Sequence, residues 1–135
     1  MIKVLHIITD YPDGNNKNST QAVKNLLEST SGPIQHDKIS LIRQAGLRFS
    51  VDTVGDIIVV KVPKLPGGIF NTLLMFIAYL MVVRRYGGDR FDQSIVHGHK
   101  LTIDSVFALM FSLFQRKKLV VSVRGGTDTK WVKYK

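Results

Sequence analysis

The fold of this chain is indicated most directly by the stretch Leu119-Val120-Val121-Ser122-Val123-Arg124-Gly125-Gly126-Thr127-Asp128. Its first half has the apolar, β-branched composition of a buried strand, and its second half is a loop with a cation, two glycines and a carboxylate. A similar unit, Gln93-Ser94-Ile95-Val96-His97-Gly98-His99-Lys100, stands upstream with a helical pattern between the two. Two strands of an α/β sheet therefore end in polar loops. In such sheets ligands bind beyond the carboxyl ends of the strands.

Working outward, apolar spacing and Gly or Pro breaks predict the other elements. The predicted strands are Ile2–Ile8, His36–Ile42, Ile57–Val62, Phe91–His97 and Leu119–Val123, and helices begin near Ser19, Ile69 and Thr102. Whether Arg43–Gly55 holds a short strand or a loop stays open. In the third helix the residues expected to share a core face are Ile103, Val106, Phe107, Met110 and Phe114. This order predicts an α/β fold with a doubly wound, mostly parallel sheet and helices on both faces.

Length, charge and cysteine content narrow the function classes. The 135 residues suit one domain with a real core, and the absence of cysteine excludes disulfides, Cys-ligated zinc and a thiol nucleophile. No signal peptide is recognisable, so a cytoplasmic location is expected. A net charge of +9 points to an anionic partner, either nucleic acid, a phospholipid surface or a phosphorylated substrate, or else is scattered surface charge.

The second predicted helix, Ile69–Tyr86, is apolar nearly all round and ends in Arg84 and Arg85. Its longest apolar run falls short of the roughly 20 residues that a spanning helix needs. We interpret it as a core helix, because a doubly wound sheet must cover both faces. The alternative is a helix seated on an anionic membrane surface.

The loop after the first strand lacks the glycine patterns of dinucleotide and P-loop sites. Gly14 could still let backbone amides approach an anion near a helix N-terminus, with Lys17 nearby. A surface loop is the alternative. Either reading leaves both residues as candidates for substrate binding.

His97 and His99 project to the same side of an extended segment, with Gly98 between them permitting a close approach of ligand and backbone. A hydrolytic zinc site needs a third ligand, and the candidate Asp104 stands at no familiar spacing. No metal is therefore predicted. His97 is assigned a structural role and His99 a role facing the substrate.

The loop Arg124–Asp128 carries stronger indications of binding. Gly125 and Gly126 permit a tight approach, Arg124 offers a planar fork for phosphate or carboxylate, and Asp128 could accept from a sugar hydroxyl. A loop closed by an internal Arg–Asp pair is the alternative. No Asp-x-Asp pair is present to hold a metal for a nucleotide-sugar.

In these motifs and their order, Val4–Pro12 with Gly14, Ser94–Asp104 and Val121–Asp128, the chain resembles the N-terminal half of family 4 glycosyltransferases. The resemblance implies a Rossmann-like domain that forms the N-terminal half of a GT-B fold and binds the acceptor. Substrate-binding residues would be Gly14, Lys17, His99, Arg124, Gly125, Gly126, Thr127, Asp128 and Lys130. Arg124 stands where many members carry a histidine, and an arginine cannot act as a base. Catalytic residues stay unassigned.

By the same resemblance, residues 1–135 form a single, truncated acceptor-binding domain of a two-domain glycosyltransferase in cell-surface polysaccharide or glycolipid biosynthesis. The nucleotide-sugar donor would bind a C-terminal domain, and the 135-residue chain alone would be inactive. Its partners would be a glycan or lipid-linked acceptor, the donor domain and an anionic membrane surface, at the inner membrane face. The alternatives are a partner subunit of a glycosyltransferase complex and, ranked below it, a basic nucleic-acid-binding domain. We expect no nucleic acid partner.

Overall fold

The structure is a computed structural model that describes residues 2–9, 25, 27–30, 32–65, 68–100 and 103–122. Residues 25 and 27–29 are helical. The elements bounded within these ranges are β1 (Ile2–Thr9), β2 (Ile34–Gln44), β3 (Ser50–Val54), β4 (Ile57–Pro63), α1 (Gly68–Tyr86), a 3-10 turn (Gly88–Arg90), β5 (Ile95–Gly98), α2 (Ile103–Gln115) and β6 (Lys118–Val121). The predicted α/β class is confirmed.

The six strands form one mixed sheet in the order β3-β4-β2-β1-β5-β6. The central strand β1 is parallel to β2 on one side and to β5 on the other. Outward from these, β4 is parallel to β2 and β6 is parallel to β5, whereas β3 is antiparallel to β4. The sheet is therefore mostly parallel. Successive strands are added on one side of β1 up to β4 and on its other side from β5 onward, so the strand order reverses between β1 and β5.

The stretch between β2 and β4, for which the sequence left a strand or a loop open, contains the edge strand β3. A two-residue turn at Gly55 and Asp56 joins β3 to β4, and Gly55 has φ +61°. Glycine adopts positive φ without steric cost, and a Gly-Asp pair between two apolar runs is typical of a hairpin. Val54 accordingly pairs with Ile57 across the turn.

One face of the sheet carries the main apolar core, because alternate strand residues project to the same side. The helices α1 and α2 pack there through buried side chains that include Met75, Ala78 and Phe107. Tyr79 and Phe111 join the two helices edge to face, with ring centroids 4.8 Å apart. The sheet contributes Leu5, Ile7, Ile39, Leu41, Ile58, Val60, Val62 and Val96 to this core.

The opposite face is more polar. Ile8 projects to this side, and it packs with the buried Leu27 of the first helical stretch and with Ile57. Lys38 and the buried Ser40 of β2 also project to this face, because alternate residues of a strand lie on the same side. His6 of β1 and His97 of β5 project to this side as well.

Helix α1 is buried on one side only, so the expectation of a core helix is half right. Its side chains Leu74, Met75, Ala78, Tyr79 and Val82 are buried, whereas Ile69, Phe70, Leu73 and Leu80 are exposed. By length and composition α1 could cross a bilayer, and it is the one helix in the described ranges that meets this test. Its packing on the sheet accounts for the buried side.

Three further expectations need correction. Phe114 was expected on the core face of α2, but it is exposed and Phe111 holds the buried position. The fourth strand was expected to begin at Phe91 but begins at Ile95. The last strand was expected to be buried, yet Leu119 and Val120 are exposed, because β6 is an edge strand of the described sheet with β5 as its neighbour.

Gly98 allows α2 to lie close to β5, and the close approach of a ligand that the sequence suggested stays a prediction. A Cβ atom at position 98 would stand 3.0 Å from Ser105 Cα, which is backbone and cannot rotate away.

We predict that Gly98→Val lowers the free energy of unfolding by about 1–3 kcal/mol through overpacking. The matched control is Gly32→Val, since a Cβ at Gly32 meets nothing within 4 Å. Equal urea midpoints for the two variants would contradict this account.

Candidate functional site

All four histidines of the chain lie on the more polar face of the sheet and form one group, the histidine cluster: His6, His36, His97 and His99. His6 on β1 pairs directly with His97 on β5. His99 follows two residues after His97 and therefore projects to the same side, at the carboxyl end of β5. His36 enters from β2, beside β1. Three neighbouring strands thus each supply part of the cluster.

Hydrogen bonds connect three of these rings in a row. Nδ1 of His6 lies 2.8 Å from Nε2 of His99, and Nε2 of His6 lies 2.8 Å from Nδ1 of His36. A neutral imidazole has one N–H donor and one acceptor nitrogen, so His6 donates to one neighbour and accepts from the other. Nε2 of His36 is in turn 3.0 Å from Oγ1 of Thr30. The row therefore runs from Thr30 across the more polar face of the sheet to the carboxyl end of β5.

His97 completes the cluster by stacking. Its ring lies 4.0 Å from the ring of His99, centroid to centroid, with an interplanar angle of 28°. Its Nε2 lies 2.6 Å from Oγ of Ser122, directly after β6. His97 is half-buried, whereas His99 is only 1% exposed and its backbone N–H donates to the carbonyl of Ile7.

Burial lowers the pKa of His6 to about 2, with smaller contributions from positive charge at His99, His97, His36 and Lys38. The side chain is 4% exposed, so the charged form would lose nearly all of its hydration. His6 is consequently neutral at physiological pH. A group with so low a pKa is no general acid or base for chemistry near pH 7, but it stays available as a neutral nitrogen ligand.

The ring nitrogens of His6, His97 and His99 could hold a metal ion, since one from each lies within 4.8 Å of the others. The third ligand considered from sequence, Asp104, is buried in α2, which packs on the opposite face of the sheet. His6, which stands 93 residues before His99 in the chain, takes its place. Thr30 and Ser122 are further members of the site that sequence reasoning missed.

Of the residues predicted to bind substrate, His99 is described by the structure, and it stands inside the histidine cluster. Whether it contacts a substrate stays a prediction. The others lie outside the described residues; they are Gly14, Lys17, Arg124, Gly125, Gly126, Thr127, Asp128 and Lys130. The sequence did contain one signal for His6. It is adjacent to the apolar Ile7 on one strand, so the two side chains project to opposite faces of the sheet.

Comparison with models of protein families finds no match for this chain, and neither does comparison with curated proteins. The site is therefore interpreted from its own geometry.

A cavity of about 270 Å³ lies near the amino ends of the strands, at the end of the sheet opposite the histidine cluster. Several polar groups of its lining pair with one another: Gln93 donates to Asp37 over 2.7 Å, and Lys38 is 3.5 Å from Asp56. Asp92, also in the lining, pairs with Lys3. These groups bind one another, and ligands of parallel α/β sheets bind at the carboxyl ends. We therefore interpret this cavity as structural and centre the site on the histidine cluster.

The low pKa of His6 predicts a stability that falls with acid. In the unfolded chain His6 is protonated below about pH 6.5, whereas in the folded chain its pKa is about 2. Protonation of His6 therefore favours unfolding throughout that interval. Well below pH 6.5 the free energy of unfolding should fall by about 1.4 kcal/mol per pH unit from this group. Urea titrations between pH 7.5 and 5, with EDTA present, measure the slope.

The variant His6→Gln should flatten this slope, because glutamine does not titrate. Thr30→Val is the matched control: it disturbs the same row of hydrogen bonds but removes no titrating group, so its slope should match that of the unaltered protein. An unchanged slope in His6→Gln would contradict the assignment.

Proposed function

We propose that this chain is the acceptor-binding domain of a nucleotide-sugar-dependent glycosyltransferase in cell-surface polysaccharide or glycolipid biosynthesis, with a Rossmann-like, doubly wound sheet as in the N-terminal half of a GT-B fold. The observation that carries the proposal is the position of His99. It stands at the carboxyl end of β5, bonded through its backbone to β1, where the strand order reverses. Ligands of open α/β sheets bind at this reversal.

The arrangement of the parallel strands supports the fold part of this proposal. With β3 set aside, the five parallel strands are ordered as the third, second, first, fourth and fifth along the chain, the order of doubly wound sheets. α1 and α2 pack on one face, and Leu27 packs on the other. Helical residues on both sides are what a doubly wound sheet requires.

Chemistry at this edge suits an acceptor with hydroxyl and phosphate groups. His99 contributes a buried imidazole whose Nε2 is bonded to His6, and Lys100 follows it with a cation. β1 ends at Thr9 and β6 at Val121, and the predicted ligand residues Gly14 and Arg124 come after these strands in the chain. An acceptor held here would meet a donor carried by a second domain. We propose no nucleotide cofactor for this chain, since the nucleotide-sugar belongs to the donor side.

Amide chemical shifts on the 135-residue chain test the proposal with two probes, farnesyl phosphate and UDP-glucose. Farnesyl phosphate should shift the amides of Gly98 and His99, and UDP-glucose should not. His99→Asn should weaken farnesyl phosphate binding at least about tenfold, about 1.4 kcal/mol. The control Arg90→Ala, in the cavity at the opposite edge, should leave binding unchanged. Shifts at His99 with UDP-glucose alone would make this a donor domain, and shifts confined to the Arg90 cavity would refute the proposed acceptor site.

The exposed side of α1 supports a cytoplasmic protein that binds the inner face of an anionic membrane. Ile69, Leu73 and Leu80 recur at helical spacing on the exposed side, and the same spacing continues to Arg84. Exposed apolar side chains can enter the interface while the cations meet lipid phosphates. Each Lys or Arg near such a surface contributes about 1 kcal/mol.

Helix α2 extends this surface. Leu113 and Phe114 are exposed, and the ring of Phe114 lies 5.8 Å from that of Phe76 on α1. Arg116 follows at the end of α2 and is exposed. The two helices thus present one apolar surface with basic residues at the ends of both, which also suits a protein partner such as a catalytic subunit.

Sedimentation with phosphatidylglycerol vesicles tests the membrane surface. Leu73→Ser should lower the partition coefficient about fivefold, since it removes apolar area from the interface. Ile2→Ser is the matched control, because Ile2 is 53% exposed and Leu73 is 54% exposed, and Ile2 stands on β1 away from α1. Binding should weaken at 0.5 M salt, about three times the physiological ionic strength. Equal losses in both variants, or no binding to anionic vesicles, would favour the protein partner.

A further inference from the structure

We propose that His6, His97 and His99 form a binding site for a divalent transition metal ion, of which Zn²⁺ fits best. The inference is independent of the proposed glycosyltransferase function, because it rests on the ring geometry alone. It also departs from the expectation drawn from the sequence, which lacked a third ligand. The structure supplies that ligand from β1, directly opposite His97.

The three rings already lie close to a coordinating arrangement. One nitrogen from each is within 4.8 Å of the other two, and Nδ1 of His6 is 2.8 Å from Nε2 of His99. Zinc–nitrogen bonds of about 2.0–2.1 Å in a tetrahedron place ligand nitrogens about 3.4 Å apart. Binding therefore requires the first pair to separate slightly and His97 to approach. The parallel pairing of β1 and β5 holds the backbones in place, so this movement has to come from rotation of the side chains.

Hydrogen bonds outside the three ligands favour the tautomers that a metal needs. With the ion on Nδ1 of His6, the proton of that ring stays on Nε2 and is donated to Nδ1 of His36, 2.8 Å away. Nε2 of His97 is held in the same way by Oγ of Ser122 at 2.6 Å. Metal-bound histidines almost always donate their second N–H to such a partner, and the partner fixes the orientation of the ring.

The donor set narrows the choice of ion to transition metals. Three neutral imidazoles suit Zn²⁺, Cu²⁺ or Ni²⁺, whereas Mg²⁺ and Ca²⁺ require oxygen ligands. Three protein ligands leave the fourth tetrahedral position for water or a substrate atom, as in catalytic zinc sites. The nearby positive charge of Lys38 opposes cation binding, but Lys38 is 3.5 Å from the carboxylate of Asp56, which offsets part of that charge.

Calorimetric titration of the EDTA-treated chain with ZnCl₂ tests the site. One ion per chain is expected, and Co²⁺ should give the visible absorption of a four-coordinate site. His97→Asn should weaken zinc binding more than 100-fold; His97 is the half-buried ligand, so its substitution disturbs the fold least. The matched control is His36→Asn, which removes an outer partner and should weaken binding by about 10–100-fold at most.

Histidine-labelled NMR provides a readout that needs no variant. Zinc should shift the ring nitrogens of three histidines directly and leave one nitrogen of His36 bonded to His6. Absence of zinc binding, binding unchanged in His97→Asn, or a loss in His36→Asn as large as in His97→Asn would overturn the proposal. Circular dichroism shows whether His97→Asn folds. If it does not, the NMR experiment on the unaltered chain decides, and direct coordination of zinc by His36 would overturn the proposal.

Discussion

The buried imidazole of His6 is the constraint on which the arrangement of the polar face depends. A polar ring that is 4% exposed must have its nitrogens hydrogen-bonded, since leaving one unsatisfied costs about 1–3 kcal/mol. His6 stands on the central strand, so its partners must come from both sides: His36 from β2 and His99 from the end of β5. The positions of three strands and the rotamers of three rings are thereby linked.

The two faces of the sheet make different contributions through the same short strand. On one side of β5, Val96 enters the apolar core and Gly98 lets α2 approach closely. On the other side, His97 and His99 stand next to His6. Because side chains alternate across a strand, four or five residues can serve both the core and the site. A change that moved β5 relative to α2 would therefore also disturb the histidine cluster.

Much of the fold could be predicted from local pattern, and the errors have physical causes. Runs such as Ile57–Val62 are apolar and β-branched, so a strand was predicted correctly, and β3 could have been found from the Gly55-Asp56 turn. The surface was harder to predict, because an apolar residue at helical spacing does not state whether a neighbour covers it. Phe114 and Leu73 satisfy the pattern of a core residue and yet are exposed. Similarly, the position of β6 at an edge of the described sheet depends on strand order, which no single segment contains.

For the site, the sequence by itself determined that His97 and His99 face the same side, because residues two apart on an extended chain always do. It also determined that no thiolate of this chain can bind a metal at this place, since the chain has no cysteine. The presence of His6 beside them depends on the tertiary structure. Its position there requires that β1 and β5 are neighbours in a register that pairs His6 with His97. A register shift of one residue would turn His6 to the opposite face of the sheet. Strand order and register arise from packing the whole sheet against its helices, which is why spacing along the chain could not show the third ligand.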